Sequence, residues 1–205
     1  MQLLNIAVLI SGSGSNLQAI IDAVEKGEIK ANLSLVISNK KDAYGLKRAD
    51  KHGIKNYYID KAYGNFDIQL MSLLEEEKID LIVLAGYLRM IDKDLVNKYR
   101  SKIINIHPSL LPAFGGKGFY GLKVHEEVFK KGCKVSGPTS HFVDENTDTG
   151  PIILQEAIDI SDLKSPQEIQ SRVLEVEHRL LVKTVKLYVE DRLILDDKRV
   201  TIRSI

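Results

Sequence analysis

Residues Asn5 to Asn16, Asn-Ile-Ala-Val-Leu-Ile-Ser-Gly-Ser-Gly-Ser-Asn, decide the fold class. Asn5 to Ile10 is a short, almost continuous apolar run, the mark of a strand buried on both faces. It stops at a turn of serines and glycines. From Asn16 or Leu17 to about Lys26, Leu17, Ile20, Ile21 and Val24 recur at helical spacing. Strand and helix then alternate outward: strand Leu33 to Ser38, helix Tyr44 to His52, strand Lys55 to Ile59, helix Phe66 to Lys78 and strand Leu81 to Ala85. The expected fold is a doubly wound, mostly parallel, Rossmann-like α/β sheet with helices on both faces. Ligands of such sheets gather outside the carboxyl ends of the strands.

The loops at those ends are Ser11 to Asn16, Ser38 to Ala43, Gly86 to Ile91, and the segment from His107 through the glycine-rich stretch to Gly121. Beyond it the pattern predicts a helix over Leu122 to Lys131 and strands over Val135 to Asp144 and Ile152 to Ile160. The polar segment Glu145 to Pro151 separates those strands. Ser165, Pro166 and Glu168 read as an N-cap, a proline at the first helical position and a capping-box glutamate, opening a helix to about Asp191. Arg192 to Leu195 and Arg199 to Ile202 flank Asp196-Asp197 as a terminal hairpin.

With 205 residues, 44% hydrophobic and 28% charged, the chain is expected to form a single domain over 1-205. No apolar run approaches the roughly 18 residues of a membrane span. The formal net charge of +1 removes the electrostatic footprint of a nucleic-acid binder. The lone cysteine, Cys133, excludes an intrachain disulfide, and no basic and apolar leader opens the chain, so a cytoplasmic location is expected.

Two polar residues stand where a buried strand runs into a proline-punctuated loop: Asn105 and His107, within Ile103 to Pro112. Two apart on a strand, they project from the same face, and Pro108 keeps His107 extended. Such a conflict marks either a site or a loop anchor. The Ser11 to Asn16 turn, between a strand and a helix N-terminus, suits a phosphomonoester or serves only close packing. Leu17 replaces the distal glycine of the dinucleotide fingerprint, and no Gly-Lys-Ser/Thr is present. The first strand also lacks the paired acids of a receiver-like signalling module. Asp148, before Thr149-Gly150-Pro151, is a turn-former or a catalytic acid. His125 and His141 lack a short metal-ligand spacing with any other histidine, so no metal is expected, and His125 reads as a surface or packing residue. In the last helix Glu177 falls amid an apolar arc that includes Ile169, Val173, Val176, Leu180 and Leu181. It needs a partner there or serves to recognise a substrate.

Four motifs in register carry a resemblance over essentially the whole chain: Ser11 to Ile20, Leu84 to Arg89, Asn105 to Pro112 and His141 to Gln155. Together they resemble the phosphoribosylglycinamide formyltransferases, which move a formyl group from N10-formyltetrahydrofolate to the glycyl amine of glycinamide ribonucleotide in purine synthesis. The resemblance implies a catalytic trio of Asn105, His107 and Asp148. It implies a substrate site with the phosphate on Gly12, Ser13 and Gly14, joined by Ser15, Asn16, Pro108 and Glu177. It also implies a folate pocket from Arg89, Met90, Ile91, Val143 and Asp144. The folate is a co-substrate, no metal is implied, and the partners are small molecules, with no nucleic acid and no membrane, for a monomer or homodimer.

Phe114 to Tyr120 departs from the commonest form of the loop after Leu-Leu-Pro, so no contact is carried over from it. The alternatives are a formyltetrahydrofolate hydrolase, which shares the trio but resembles a chain with an added N-terminal regulatory domain, and a non-enzymatic nucleotide-binding domain. A methionyl-tRNA formyltransferase would bring a further C-terminal domain and a basic surface.

Overall fold

The computed structural model describes residues 3–60 and 66–204. The main sheet has seven strands in the order β3-β2-β1-β4-β5-β7-β8. These are β1 (Asn5–Ile10), β2 (Asn32–Ser38), β3 (Asn56–Tyr58), β4 (Leu81–Leu84), β5 (Ile103–His107), β7 (Thr139–Phe142) and β8 (Ile152–Gln155). By their contacts the residues group into two compact units, Met1–Ile104 and Asn105–Ile205.

In the first unit, β1 pairs in parallel with β2 on one side and β4 on the other, and β2 pairs in parallel with β3. Ile6 to Ile10 are fully buried, as their unbroken apolar run requires. The connecting helices are α1 (Ser15–Glu25), α2 (Tyr44–Lys51), α3 (Phe66–Glu76) and α4 (Lys93–Lys98). The strand order steps outward from β1 to β3 and then returns past β1 to β4. Right-handed crossovers therefore lay α1 and α2 on one face and α3 on the other. This reversal places the Ser11 to Asn16 turn and the loop after β4 at neighbouring strand ends. Helix α4 has no counterpart in the sequence reading, being six residues long; Asp92 caps it by accepting the Asp94 N–H at 2.9 Å.

The second unit corrects two expectations. The strand expected over Val135 to Asp144 is broken into β6 (Val135–Ser136) and β7, and that over Ile152 to Ile160 into β8 and β9 (Ile158–Asp159). Gly137 and Pro138 cause the first break. Gly137 has φ 148, and a Cβ there would lie 1.9 Å from the Glu156 carbonyl oxygen, so two backbones cross at contact. The outer pieces β6 and β9 form their own antiparallel ribbon, while β7 and β8 are antiparallel in the main sheet.

Helix α5 (Leu122–Lys130) packs on α6 (Pro166–Val189) through Val124, Val128, Ile169 and Val173. Ser165 caps α6 by accepting the Glu168 N–H at 3.2 Å, which is worth about 1 kcal/mol. The Glu168 carboxylate reaches back to the Lys164 N–H, one residue earlier than in the expected capping box. The terminal hairpin forms from β10 (Leu193–Asp196) and β11 (Arg199–Ile202). No helix among the described residues is long and apolar enough to cross a membrane.

Candidate active site

Strand alternation does what the sequence implied at the end of β5. Ile104 and Ile106 are buried on one face, and Asn105 and His107 share the other. The Asn105 amide nitrogen donates to Nε2 of His141 at 3.1 Å. His107 presents Nδ1 to Asp148 Oδ2 at 3.5 Å and donates from Nε2 to the Phe114 carbonyl at 2.8 Å. Oxygen acceptors therefore face both ring nitrogens. The second Asp148 oxygen lies 3.7 Å from Nε2 of His141. One carboxylate thus stands between two imidazoles, and the candidate trio is drawn together with a fourth member.

Asp148 reaches this place because its backbone is left-handed, φ 57, a region that aspartate and asparagine tolerate better than most residues. Asp144 organises that loop, accepting the Asn146 N–H at 3.1 Å and the Thr149 hydroxyl at 2.7 Å. The Gly116 N–H donates to Asp148 Oδ2 at 2.9 Å, so the glycine-rich segment touches the cluster from outside β5. Thr139 of β7 accepts the Leu111 N–H and donates to the Ser109 carbonyl, pinning the chain between His107 and that segment.

The sequence reads His125 as a surface or packing residue and His141 as the first residue of the His141 to Gln155 motif, with no role of its own. Nδ1 of His141 lies 2.8 Å from the Phe142 carbonyl, which only accepts, so this nitrogen carries the proton. Burial pushes the pKa of His141 down, and its Nε2 lone pair is left for Asn105. The signal available in the sequence was its place at the start of the His141 to Gln155 motif. His125 is buried on α5, and burial, reinforced by the His107 charge, lowers its pKa to about 4. Among the described residues, no group of three or more His, Cys, Asp or Glu side chains could hold a metal ion. Glu177 is buried on α6, as the apolar arc implied.

In the first unit, the candidate phosphate turn is exposed at Gly12 and Ser13, half-buried at Ser15 and buried at Asn16. Gly14 occupies the N-cap position of α1 with φ 70 and has no side chain to cap it. A Cβ on Gly14 would lie 2.6 Å from the Cα of Gly45 on α2, a close approach that the turn's own sequence does not reveal.

The loop after β4 is tied to the same turn. Ser11 donates to Asn39 Oδ1 at 2.6 Å and accepts the Leu88 N–H at 2.8 Å. Arg89 is turned back onto α3, pairing with Asp67 at 2.6 Å and stacking 4.1 Å over Phe66. Met90 is 73% exposed and Leu88 is 49% exposed beside it, large apolar surfaces without cover. Ile91, Pro108 and Val143 are each half-buried.

The family model described as Formyl transferase matches residues 4–185. The chain belongs to the formyl transferase family. This formyl transferase is 40% identical over 196 residues to the phosphoribosylglycinamide formyltransferase of Haemophilus influenzae, covering 94% of this chain and 90% of that one. It is 41% identical over 193 residues to the chloroplastic phosphoribosylglycinamide formyltransferase of Arabidopsis thaliana, covering 92% of this chain. It spans just 66% of that protein's length. Its fold matches the crystal structure of glycinamide ribonucleotide transformylase 1 from Symbiobacterium toebii with a TM-score of 0.93 at 39% identity, covering 98% of this chain and 95% of that one. A formyltetrahydrofolate deformylase from Pseudomonas syringae superposes with a TM-score of 0.91 at 25% identity, the formyl transferase covering 67% of that chain.

Proposed function

We propose that this formyl transferase moves the formyl group of N10-formyltetrahydrofolate to the glycyl amine of glycinamide ribonucleotide, working as one domain. The family match over residues 4–185 runs through both compact units and supports that reading. The observation that carries the chemistry is the cluster of Asn105, His107 and Asp148, with a carboxylate 3.5 Å from an imidazole beside a carboxamide.

The amine nitrogen attacks the formyl carbon, a C–N bond forms, and the carbonyl electron pair moves to oxygen. Preorganised donors stabilise such an oxyanion best. Asn105 has a second amide hydrogen besides the one given to His141. His107, held between Asp148 and the Phe114 carbonyl, is the second group beside that oxyanion. The attacking nitrogen then loses a proton, Asp148 relays it through water, and N10 of the folate gains one as its C–N bond breaks. Products are the formylated ribonucleotide and tetrahydrofolate, with no proton or electron left over.

Gly12, Ser13, Gly14, Ser15 and Asn16 take the phosphate at the N-terminus of α1, where the helix dipole favours an anion. By the resemblance, Pro108 and Glu177 also contact the ribonucleotide, and Arg89, Met90, Ile91, Val143 and Asp144 contact the folate. Arg89 and Asp144 contribute backbone there, because their side chains are engaged in Arg89–Asp67 and Asp144–Thr149 contacts.

The alternative reading is the hydrolase, which the deformylase fold match keeps in view. Formyl transfer assayed with and without the ribonucleotide separates them. Tetrahydrofolate release that depends on the ribonucleotide, with formylated product, is expected; equal release without it would assign the chain to hydrolysis.

A further inference from the structure

Arg48 lies on α2, outside every motif that carries the resemblance, and its side chain is committed to the turn between β1 and α1. Its Nε donates to the Ser13 carbonyl at 2.9 Å, and its Nη1 donates to Gln18 Oε1 on α1 at 2.9 Å. Its guanidinium sits 5.0 Å from the centre of the Tyr44 ring. One turn earlier on α2, the Gly45 N–H donates to the Gly12 carbonyl at 3.1 Å. The Gly14 carbonyl is taken by the Gln18 N–H at 2.9 Å, the first bond of α1.

Three successive carbonyls are thereby fixed. In a trans peptide unit the following N–H points opposite to the carbonyl. Holding the Gly12 and Ser13 carbonyls toward α2 therefore turns the N–H groups of Ser13 and Gly14 away from it. The Gly14 carbonyl runs into α1, so the N–H of Ser15 points out of that helix. The turn itself, Ser11 to Asn16, contains no lysine or arginine.

We propose that Arg48 is a positioning residue for the ribonucleotide phosphate: it aims the amides of the Ser11 to Asn16 turn and supplies the positive charge that the turn lacks. The inference rests on the reading of that turn as the phosphate site. Gly45 is the companion requirement, since a Cβ there would stand 3.2 Å from the Gly14 Cα and meet Ile10 Cδ1, crowding α2 against the turn.

The test compares the ribonucleotide with its dephosphorylated nucleoside as formyl acceptors. In Arg48→Met the preference for the ribonucleotide in kcat/KM should fall about tenfold or more, the order for losing one charge-assisted hydrogen bond. The loss should lie in the ribonucleotide KM, with kcat and the folate KM nearly unchanged. Arg48→Lys keeps the charge without the fork and should recover part of the preference, less at high salt. Gln18→Met releases Nη1 of Arg48, with the Gln18 contacts to Asp22 and His52, but leaves Nε on Ser13, and should give a smaller shift in the same direction, which keeps the test available if Arg48→Met folds poorly. An unchanged preference in these variants, or equal loss for both acceptors, overturns the role of Arg48. A parent protein that does not prefer the ribonucleotide is a different result, and it removes the phosphate turn and this inference together.

Discussion

Nε2 of His141 lies 3.1 Å from the Asn105 amide nitrogen, and the Phe142 carbonyl on the other ring nitrogen fixes the direction of that bond. With its proton held at Nδ1, the neutral ring can only accept at Nε2. The amide nitrogen of Asn105, not its oxygen, must therefore face His141, and the carboxamide plane is set. Its second N–H then has one direction in which to point. This orientation is what an oxyanion donor requires.

Replacing His141 should therefore damage turnover without damaging binding. In His141→Phe the Asn105 amide loses its anchor but is still present, and kcat should fall by about one to two orders of magnitude, at or below the cost of losing an oxyanion donor outright. KM for the ribonucleotide should change little. Steady-state kinetics check this, and a variant with normal kcat would remove His141 from the positioning of Asn105.

Asp148→Asn is a clean probe, because asparagine also tolerates the left-handed backbone at φ 57. The variant keeps the shape but loses the charge between His107 and His141. Turnover should drop by about two to four orders of magnitude, the usual contribution of acid–base assistance. Ribonucleotide affinity, measured by calorimetry, should remain. Nearly normal turnover would exclude Asp148 from the chemistry.

His125 predicts an acid-sensitive fold. Its pKa is lowered from 6.5 to about 4, mainly by burial, while the unfolded chain titrates near the ordinary value. Between those two values the unfolded state binds more protons than the native state, so stability is lost as pH falls from 6.5 towards 4. The full span is worth about 3 kcal/mol. Thermal melts across that window should show a steeper decline for the parent than for His125→Gln. Parallel declines would assign the acid sensitivity to other groups.

Ser11→Ala removes the hydroxyl that joins Asn39 to the Leu88 N–H. The loop after β4 loses its tether while the glycines of the turn stay in place. KM for the folate should rise several-fold, on the order of one hydrogen bond of about 1 kcal/mol. KM for the ribonucleotide should move less. A larger rise for the ribonucleotide would separate this loop from folate binding.

The parallel half of the fold was legible because periodicity reports burial directly. Asn5–Ile10 and Leu81–Leu84 are apolar runs with nothing to interrupt them. The β6 to β9 region was not, because Gly137 and Pro138 break a strand through backbone geometry that a hydropathy pattern does not register. Within the candidate site, Asn105 and His107 were visible as polar residues in apolar surroundings. Asp148 read as a turn-former or a catalytic acid, and the resemblance chose between the two. His141 escaped because its importance lies in a tautomer fixed by a main-chain carbonyl, and Gly45 because its meaning lies in the neighbour it touches.

The segment after Leu-Leu-Pro touches the cluster through main-chain atoms alone: the Phe114 oxygen on His107 and the Gly116 nitrogen on Asp148. Gly115 is confined by Leu111, 2.4 Å from where its Cβ would stand, and Gly116 by its φ of 89. Path, rather than residue identity, is what this loop contributes. Two chains could differ at every side chain between those glycines and the next helix, and still offer the imidazole the same carbonyl and the carboxylate the same amide.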